Sequence, residues 1–297
     1  MIPDRWIFPL FCAYVALFFL TVLGLQLWIK KRRGSHSPVD FKLLRGPGES
    51  LRKRVAKYDE DLVFRLGGAA IVPVCVALGA LGIVLKLHPT TQAEFYLGLG
   101  ATIVVFLSVL FFSGQWALRG LDRYSNDRLG YLGEREVAEY LSALLAKGYR
   151  IFHDVPAEGA KKDFNLDHIA VGPSGVTVVE TKTRRKRPGF KNHVVIYDGT
   201  QLIWPWGKDS HGLEQAKAEA AWLHHWIKQR TGIDTTVKPI LALPGWWVDA
   251  KAYGDVAVVN SKAIAKFFEG NGPAILAPEQ IDLIARQLDM LCRDVEE

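Results

Sequence analysis

Cysteine is scarce in this chain, and its three copies are scattered. Cys12, Cys75 and Cys292 lie too far apart in sequence for a disulfide framework or the close pairs of a zinc site, so the part outside the apolar runs is expected in a reducing compartment. Internal repeats and low-complexity tracts are absent. The glycine-rich stretch Gly46-Pro47-Gly48-Glu49-Ser50 lacks the Gly-Lys-Ser/Thr ending of a phosphate loop, and Gly98-Leu99-Gly100 falls inside an apolar run, so neither reads as a nucleotide site. Charge is missing from the centres of the long apolar runs, which argues against a proton relay, ion pathway or transporter there.

Those runs cover about residues 6–29, 66–86 and 95–117, each long enough to cross a bilayer. The first is too long for a signal-peptide core and runs directly into Lys30-Lys31-Arg32-Arg33. Gly67, Gly68, Gly79 and Gly82 would allow close helix approach in the second, and Pro73 a kink. The link between the second and third runs is nearly free of positive charge. Residues 30–65 are rich in Lys and Arg, and Arg119, Arg123 and Arg128 follow the third run. Placing both basic segments inside predicts an integral plasma (inner) membrane protein held in the lipid bilayer by three transmembrane helices, with its N-terminus outside. Residues 1–120 are then the membrane region, with a cytoplasmic basic loop at 30–65, and residues 121–297 a cytoplasmic domain. Much of the net charge of +6 follows from that orientation.

Beyond about residue 130 the pattern becomes that of an α/β domain. Val137, Ala138, Leu141, Leu144 and Leu145 share a helical face that Gly148 closes. Residues 149–155 read as a strand, and Asp198-Gly199 marks a turn between two more. A helix over 213–232 ends at Gly232, apolar strands follow at 237–244 and 255–260, and a last amphipathic helix starts at Pro278. The expected fold is a mixed β-sheet flanked by helices.

Within it, Gly172-Pro173-Ser174-Gly175 is a turn. A two- or four-residue loop sets Val171 opposite Val176, Ile169 opposite Val178 and Asp167 opposite Glu180, whereas a three-residue loop with a bulge would separate the acids. Opposed residues have β-carbons about 4.5–5.5 Å apart. Two carboxylates that close repel unless a cation joins them or they end at solvent. Lys182 shares the strand face of Glu180. Glu134 lies on the apolar stripe of its helix, either as a further acid of that site or as an ordinary helix-start acid. His168 alternates to the opposite face, which suits packing or hydrogen bonding. His224 and His225 cannot both face one metal.

The run GEREVAEYL…FHDV…NLDHIAVGPSGVTVVETKT resembles the nuclease-related domain (NERD) family, a branch of the PD-(D/E)xK nuclease superfamily, over about residues 128–245. The resemblance implies a PD-(D/E)xK-like fold in which Asp167 and Glu180 bind Mg²⁺ (or Mn²⁺), Lys182 assists the attacking water, and Glu134 completes the site. Gln215 matches a glutamine that commonly lines such sites. Leu166 stands where the superfamily has proline before its aspartate. The implied activity is hydrolysis of nucleic-acid phosphodiester bonds, DNA foremost; the alternative is an inactive module that binds nucleic acid or protein at the membrane. Arg184, Arg185, Lys186, Arg187 and Lys191 follow the Glu-x-Lys run, as a nucleic-acid-binding cluster with Phe190 for stacking, or as a loop on anionic lipid.

Overall fold

A computed structural model describes residues 42–87, 89–157, 164–189, 193–268 and 274–294, with Leu17, Thr21, Gly24 and Trp28 besides. The apolar run expected at 6–29 and the lysines and arginines at 30–33 otherwise lie outside the described residues, as do Phe190 and Lys191. The chain divides into two compact units: Met1–Asp40 with Lys57–Arg123 and Glu297, and Phe41–Ala56 with Tyr124–Glu296.

Among the described residues, two helices are long and apolar enough to cross a membrane, over Arg65–Lys86 in the first unit and over Gln92–Lys147, which begins in the first unit and continues past Arg123. They belong to α1 (Glu49–Lys86), which contains Pro73, and α2 (Gln92–Ser142). Both exceed the spans read from hydropathy. The polar residues after 117 continue α2 because no proline intervenes, and glycine such as Gly120 or Gly130 costs a helix only about 1 kcal/mol. Close approach within this unit uses Gly98, where a β-carbon would come within 2.6 Å of Val84; no such neighbour lies near Gly67, Gly68 or Gly79.

The second unit takes in residues 41–56, which the sequence alone places in the membrane region, as part of its cytoplasmic loop. Strand β1 (Leu43–Leu44) pairs antiparallel with the last strand, Arg293–Asp294. The other strands, in chain order, are β2 (Arg150–Pro156), β3 (Asn165–Gly172), β4 (Gly175–Thr181), β5 (Val194–Tyr197), β6 (Leu202–Trp204), β7 (Gly207–Asp209), β8 (Val237–Ala242), β9 (Trp247–Ala250) and β10 (Ala257–Val259), with Arg293–Asp294 as β11. They build a five-stranded mixed sheet in the order β10-β8-β4-β3-β2 and a four-stranded one in the order β7-β6-β5-β9. The second sheet was not expected. Its strands are short, and β7, Gly-Lys-Asp, has no apolar alternation to betray it.

Every residue of β4 is buried, as a central strand covered on both faces requires. On one face Val176 and Val178, with Ile169 and Val171 of β3, pack against α3 (His211–Thr231) and α4 (Pro278–Leu291) through Leu223, Ile227, Ile284 and Leu288. On the other, Val179 and Ala170 meet Val137, Leu141 and Leu144 of α2 and its extension. Gly232 ends α3 at φ 73°. The Gln280 side chain accepts from the Ala277 amide at the start of α4.

Residues 45–50 are tied in by Asp154 of β2, a non-glycine residue at φ 49°. Its carboxylate accepts from the Ser50 amide (3.0 Å), the Ser50 hydroxyl (2.7 Å), Asn165 Nδ2 (3.0 Å) and Arg45 (3.2 Å). Left-handed backbone is tolerated by Asp and Asn better than by other side chains. Asp154→Asn is therefore expected to lose mainly the charge partner of Arg45. Asp154→Ala should lower unfolding stability by about 1–3 kcal/mol, since it strands buried donors as well. Denaturant unfolding of the full-length chain checks the order; equal effects would mean the backbone conformation carries no cost.

Candidate active site

The hairpin between β3 and β4 pairs Gly172 with Gly175, Val171 with Val176, Ile169 with Val178 and His168 with Val179. The turn is thus the two-residue Pro173-Ser174, and one more step along the same register brings Asp167 opposite Glu180. There the ladder gives way to a side chain: Asp167 Oδ2 accepts from the Thr181 amide at 2.7 Å. Strand β4 is extended instead toward β8, with the Lys182 amide donating to Ala242 O at 3.0 Å.

Glu180 is 1% exposed. Lys182 Nζ lies 2.5 Å from Glu180 Oε1 and donates to Gln215 Oε1 at 2.8 Å. Gln215 in turn donates to Glu219 Oε1 at 2.9 Å. This chain of contacts depends on Gly212 at the start of α3, where a β-carbon would press to 3.2 Å from Lys182 Cγ and Leu241. Glu134 reaches the cluster from α2. The residue before it, Gly133, lets the helix lie directly on Thr183, which a β-carbon would overlap. The Gly-Glu pair therefore has a steric reason.

Acids outnumber cations here. One buried oxygen each of Glu134, Glu180 and Glu219 has no N–H or hydroxyl donor beside it; between Glu180 and Glu219 only a shared carboxyl proton can make a hydrogen bond. Burial first, then the charges of Asp154 and Glu180, push the Glu134 carboxyl up to about 8. Burial also raises Glu219, with the charge and hydrogen bond of Glu180 adding to it. Asp167 is raised well above the usual carboxylate range by burial and then by Glu180, Glu134 and Glu219. Burial works to lower Lys182, but Glu180, Asp167 and Glu219 together outweigh it and hold the ammonium above its ordinary value.

Of the expected site residues, Glu134, Asp167, Glu180, Lys182 and Gln215 thus come to one place. Glu219 is an addition. Its signal was present: at four residues from Gln215 and next to Ala220, it is an acid on the buried stripe of α3. The basic run is less uniform than its composition suggested. Arg184 is paired with Asp209 and lies over Trp204, and Arg185 donates to Ser125 O and Oγ at 2.7 Å. Lys186 and Arg187 are exposed, and Lys191 is outside the described residues. Beside them runs a groove of about 450 Å³ lined by Gly133, Thr183, Arg184, Arg185, Lys186 and Gly245 among others. His168 is buried, with its Nδ1 2.8 Å from that of His153. His224 Nδ1 meets Thr235 O at 2.7 Å.

Residues 129–244 match the family model of the nuclease-related domain, NERD. The matched segment begins within α2 and ends just past β8. It therefore contains the whole cluster, Glu219 included, but not residues 41–56, α4 or β10. A search of curated proteins found no match.

The raised carboxyls of the NERD segment link stability to pH. A carboxyl that keeps its proton to higher pH in the folded chain than in the unfolded one stabilises the fold below its unfolded value, and this is lost as pH rises through the folded value. For Glu134 that window runs from 4.5 to about 8. In EDTA, the unfolding free energy should fall across that range, by up to about 1.4 kcal/mol per pH unit for one proton, and Glu134→Gln should flatten the fall. Thermal unfolding as a function of pH tests this; a parent profile that rises or stays level from pH 5 to 8 contradicts it.

Proposed function

We propose that the chain is a metal-dependent nuclease, tethered to a membrane, that hydrolyses nucleic-acid phosphodiester bonds. One observation carries the reading: Lys182 Nζ bridges Glu180 and Gln215 inside a group of buried acids within the NERD segment, three of whose carboxylate oxygens are unpartnered. A donor set made only of carboxylate oxygens suits a hard cation such as Mg²⁺ or Mn²⁺. Asp167 and Glu180 would hold it, with Glu134 in direct or water-mediated support. When bound, such an ion supplies Lewis-acid charge at the phosphoryl oxygens and lowers the pKa of water.

The chain's own groups do the rest. Asp167 is oriented by the Thr181 amide, so its other oxygen is directed by backbone rather than by a mobile side chain. Lys182 positions the attacking water and offsets negative charge as it builds on the phosphoryl group, while the bond to the leaving oxygen breaks. Gln215 keeps the ammonium from collapsing wholly onto Glu180, and Glu219 anchors Gln215. Arg187 and Lys186, with Lys191 further on, would draw the phosphate backbone to the end of β4.

Membrane attachment rests on the two apolar helices together with the uncharged run at 6–29. The charge bias of the flanking segments favours an inner-membrane protein with the nuclease-like domain in the cytoplasm. One observation favours the rival reading, a silent binding module: among the described residues no three acid, histidine or cysteine side chains are already gathered as a metal-ligand set.

The two readings part on cleavage. Full-length protein in detergent, incubated with DNA and RNA, should cut at least one of them with Mg²⁺ or Mn²⁺ and neither with EDTA. Glu180→Ala and Lys182→Ala should each lower the rate by ~100-fold or more, the scale of a lost general acid–base or charge-stabilising group. Binding without cleavage, indifferent to EDTA, would establish the module and end the nuclease proposal.

A further inference from the structure

Past Lys182 the chain runs over a cluster of three tryptophans. Trp204 of β6 and Trp206, in the turn before β7, are stacked with ring centroids 5.5 Å apart and planes inclined by 15°. Trp246 meets both edge-on, at 5.0 and 5.4 Å. Trp204 and Trp246 are core residues, whereas Trp206 is half-buried. The basic segment is seated on this cluster. Trp246 Nε1 donates to Arg184 O at 3.0 Å, Arg184 lies 4.9 Å from the Trp204 ring centre, and Arg187 lies 4.7 Å from that of Trp206.

The two arginines differ in what else they touch. Arg184 is bound to Asp209, so its charge is largely answered within the protein. Arg187 is exposed, and no ion pair to a carboxylate is seen for it among the described residues. Its guanidinium lies over the half-buried Trp206 indole, which is itself stacked on Trp204, so the outer side of the guanidinium is the surface this stack presents, fixed from below by two buried tryptophans. A packed core gains nothing from leaving such a stack at the surface. Every nucleobase has a π-face that can stack on an indole or a guanidinium, at about 1–3 kcal/mol per base, without regard to sequence. Bases inside a duplex are already stacked on each other and would have to be extruded first.

We propose that Trp206 and Arg187 form a base-stacking platform that receives an unpaired nucleotide, so that the chain takes single-stranded nucleic acid, or a strand end, in preference to intact duplex. Trp206 holds Arg187 from beneath, and Arg187 offers the base a stacking plane and the backbone a phosphate contact. The strand is thereby led toward Lys182, five residues before Arg187 in the same segment. This deepens the nuclease reading and rests on it for the substrate's fate, but the platform itself needs no cleavage.

The test is therefore binding in EDTA, by fluorescence anisotropy, of full-length protein in detergent to labelled oligo-dT and to a duplex of the same length. Oligo-dT should bind more tightly than duplex. Trp206→Ala should weaken oligo-dT by roughly 10-fold and duplex by less than about 2-fold, with Trp206→Phe retaining most of the affinity. Arg187→Lys keeps the charge but not the plane; it should lose single-strand preference while leaving the salt slope unchanged, whereas Arg187→Ala should reduce that slope by about one. Circular dichroism of each variant, with Trp206→Phe as the conservative replacement, separates loss of the platform from loss of the fold. Equal losses for both substrates in folded Trp206→Ala, or no loss in either, would overturn the proposal. So would unmoved oligo-dT binding alongside quenching of Trp206-dependent fluorescence by phosphatidylglycerol nanodiscs, which would assign the surface to anionic lipid. Binding through Trp206 without cleavage under any metal condition would sink the nuclease reading and leave the platform; cleavage indifferent to Trp206 would do the reverse.

Discussion

A single ammonium among buried carboxylates is the constraint around which this domain is organised. Lys182 has Glu180 on one side and Gln215 on the other, and Glu134, Asp167 and Glu219 all feel the charge of Glu180 through protein rather than water. Buried like charges cannot all ionise unless something positive joins them. The raised carboxyls follow from this, as does the elevated lysine. Burying such a group weakens a fold, because each unpartnered carboxylate oxygen gives up water without a replacement. A domain that keeps several of them at the end of its central strand has given up stability there, which is the usual mark of a site rather than of a core.

The rest of the domain can be read as the means of holding that place. Strand β4 is buried along its whole length and paired on both edges, antiparallel to β3 and parallel to β8, so Glu180 and Lys182 leave it in a defined direction. Helices approach its end from the two faces of the sheet. Each does so through a glycine, Gly133 for the α2 approach to Thr183 and Gly212 for the α3 approach to Lys182. A side chain at either position would hold the helix off by a fraction of an ångström to a few, and the acids those helices carry would recede with it. Asp154 extends the same logic to residues 45–50. Its left-handed backbone is held by four hydrogen-bond partners, and its charge is the second largest influence on Glu134 after burial.

How far the sequence discloses this depends on the range of the interactions involved. Alternation and the Gly-Pro-Ser-Gly turn are local, and they narrowed the register of β3 and β4 to two alternatives, of which the two-residue turn of the structure is one that brings Asp167 and Glu180 together. Helical periodicity placed Glu134 on the apolar stripe of its helix without fixing its role, and the helix ends at Gly232 and Pro278 were plain. Segments whose partners are distant were not legible. Leu43-Leu44 is too short to announce itself as a strand, and its partner β11 lies at the far end of the chain, so composition alone assigned residues 41–56 to the membrane half. Strand β9, Trp247–Ala250, is exposed or half-buried throughout and gives no apolar signal. Glu219 was on the page as an acid in an apolar stripe, but nothing local tells a buried acid on such a stripe from one that has swung to solvent.

The basic run after Lys182 shows why counting charges overstates a field. Of the four described cations at 184–187, one is neutralised by Asp209 and another is turned back onto Ser125, leaving Lys186 and Arg187 facing outward. What composition presents as a diffuse positive patch is a structured one, fixed to a tryptophan cluster through the Trp246 indole and the Arg184 carbonyl. A strand exit that carries an acid pocket at one end and a seated guanidinium a few residues later changes sign over a very short distance. An anionic polymer is attracted by the rim and meets no such excess of cations in the pocket, where Lys182 is already paired with Glu180. On the proposed reading, the rim brings the polymer in, and only a cation held by Asp167 and Glu180 lets a phosphate approach the acids themselves. Attraction and reaction then depend on different groups, and removing either leaves the other measurable.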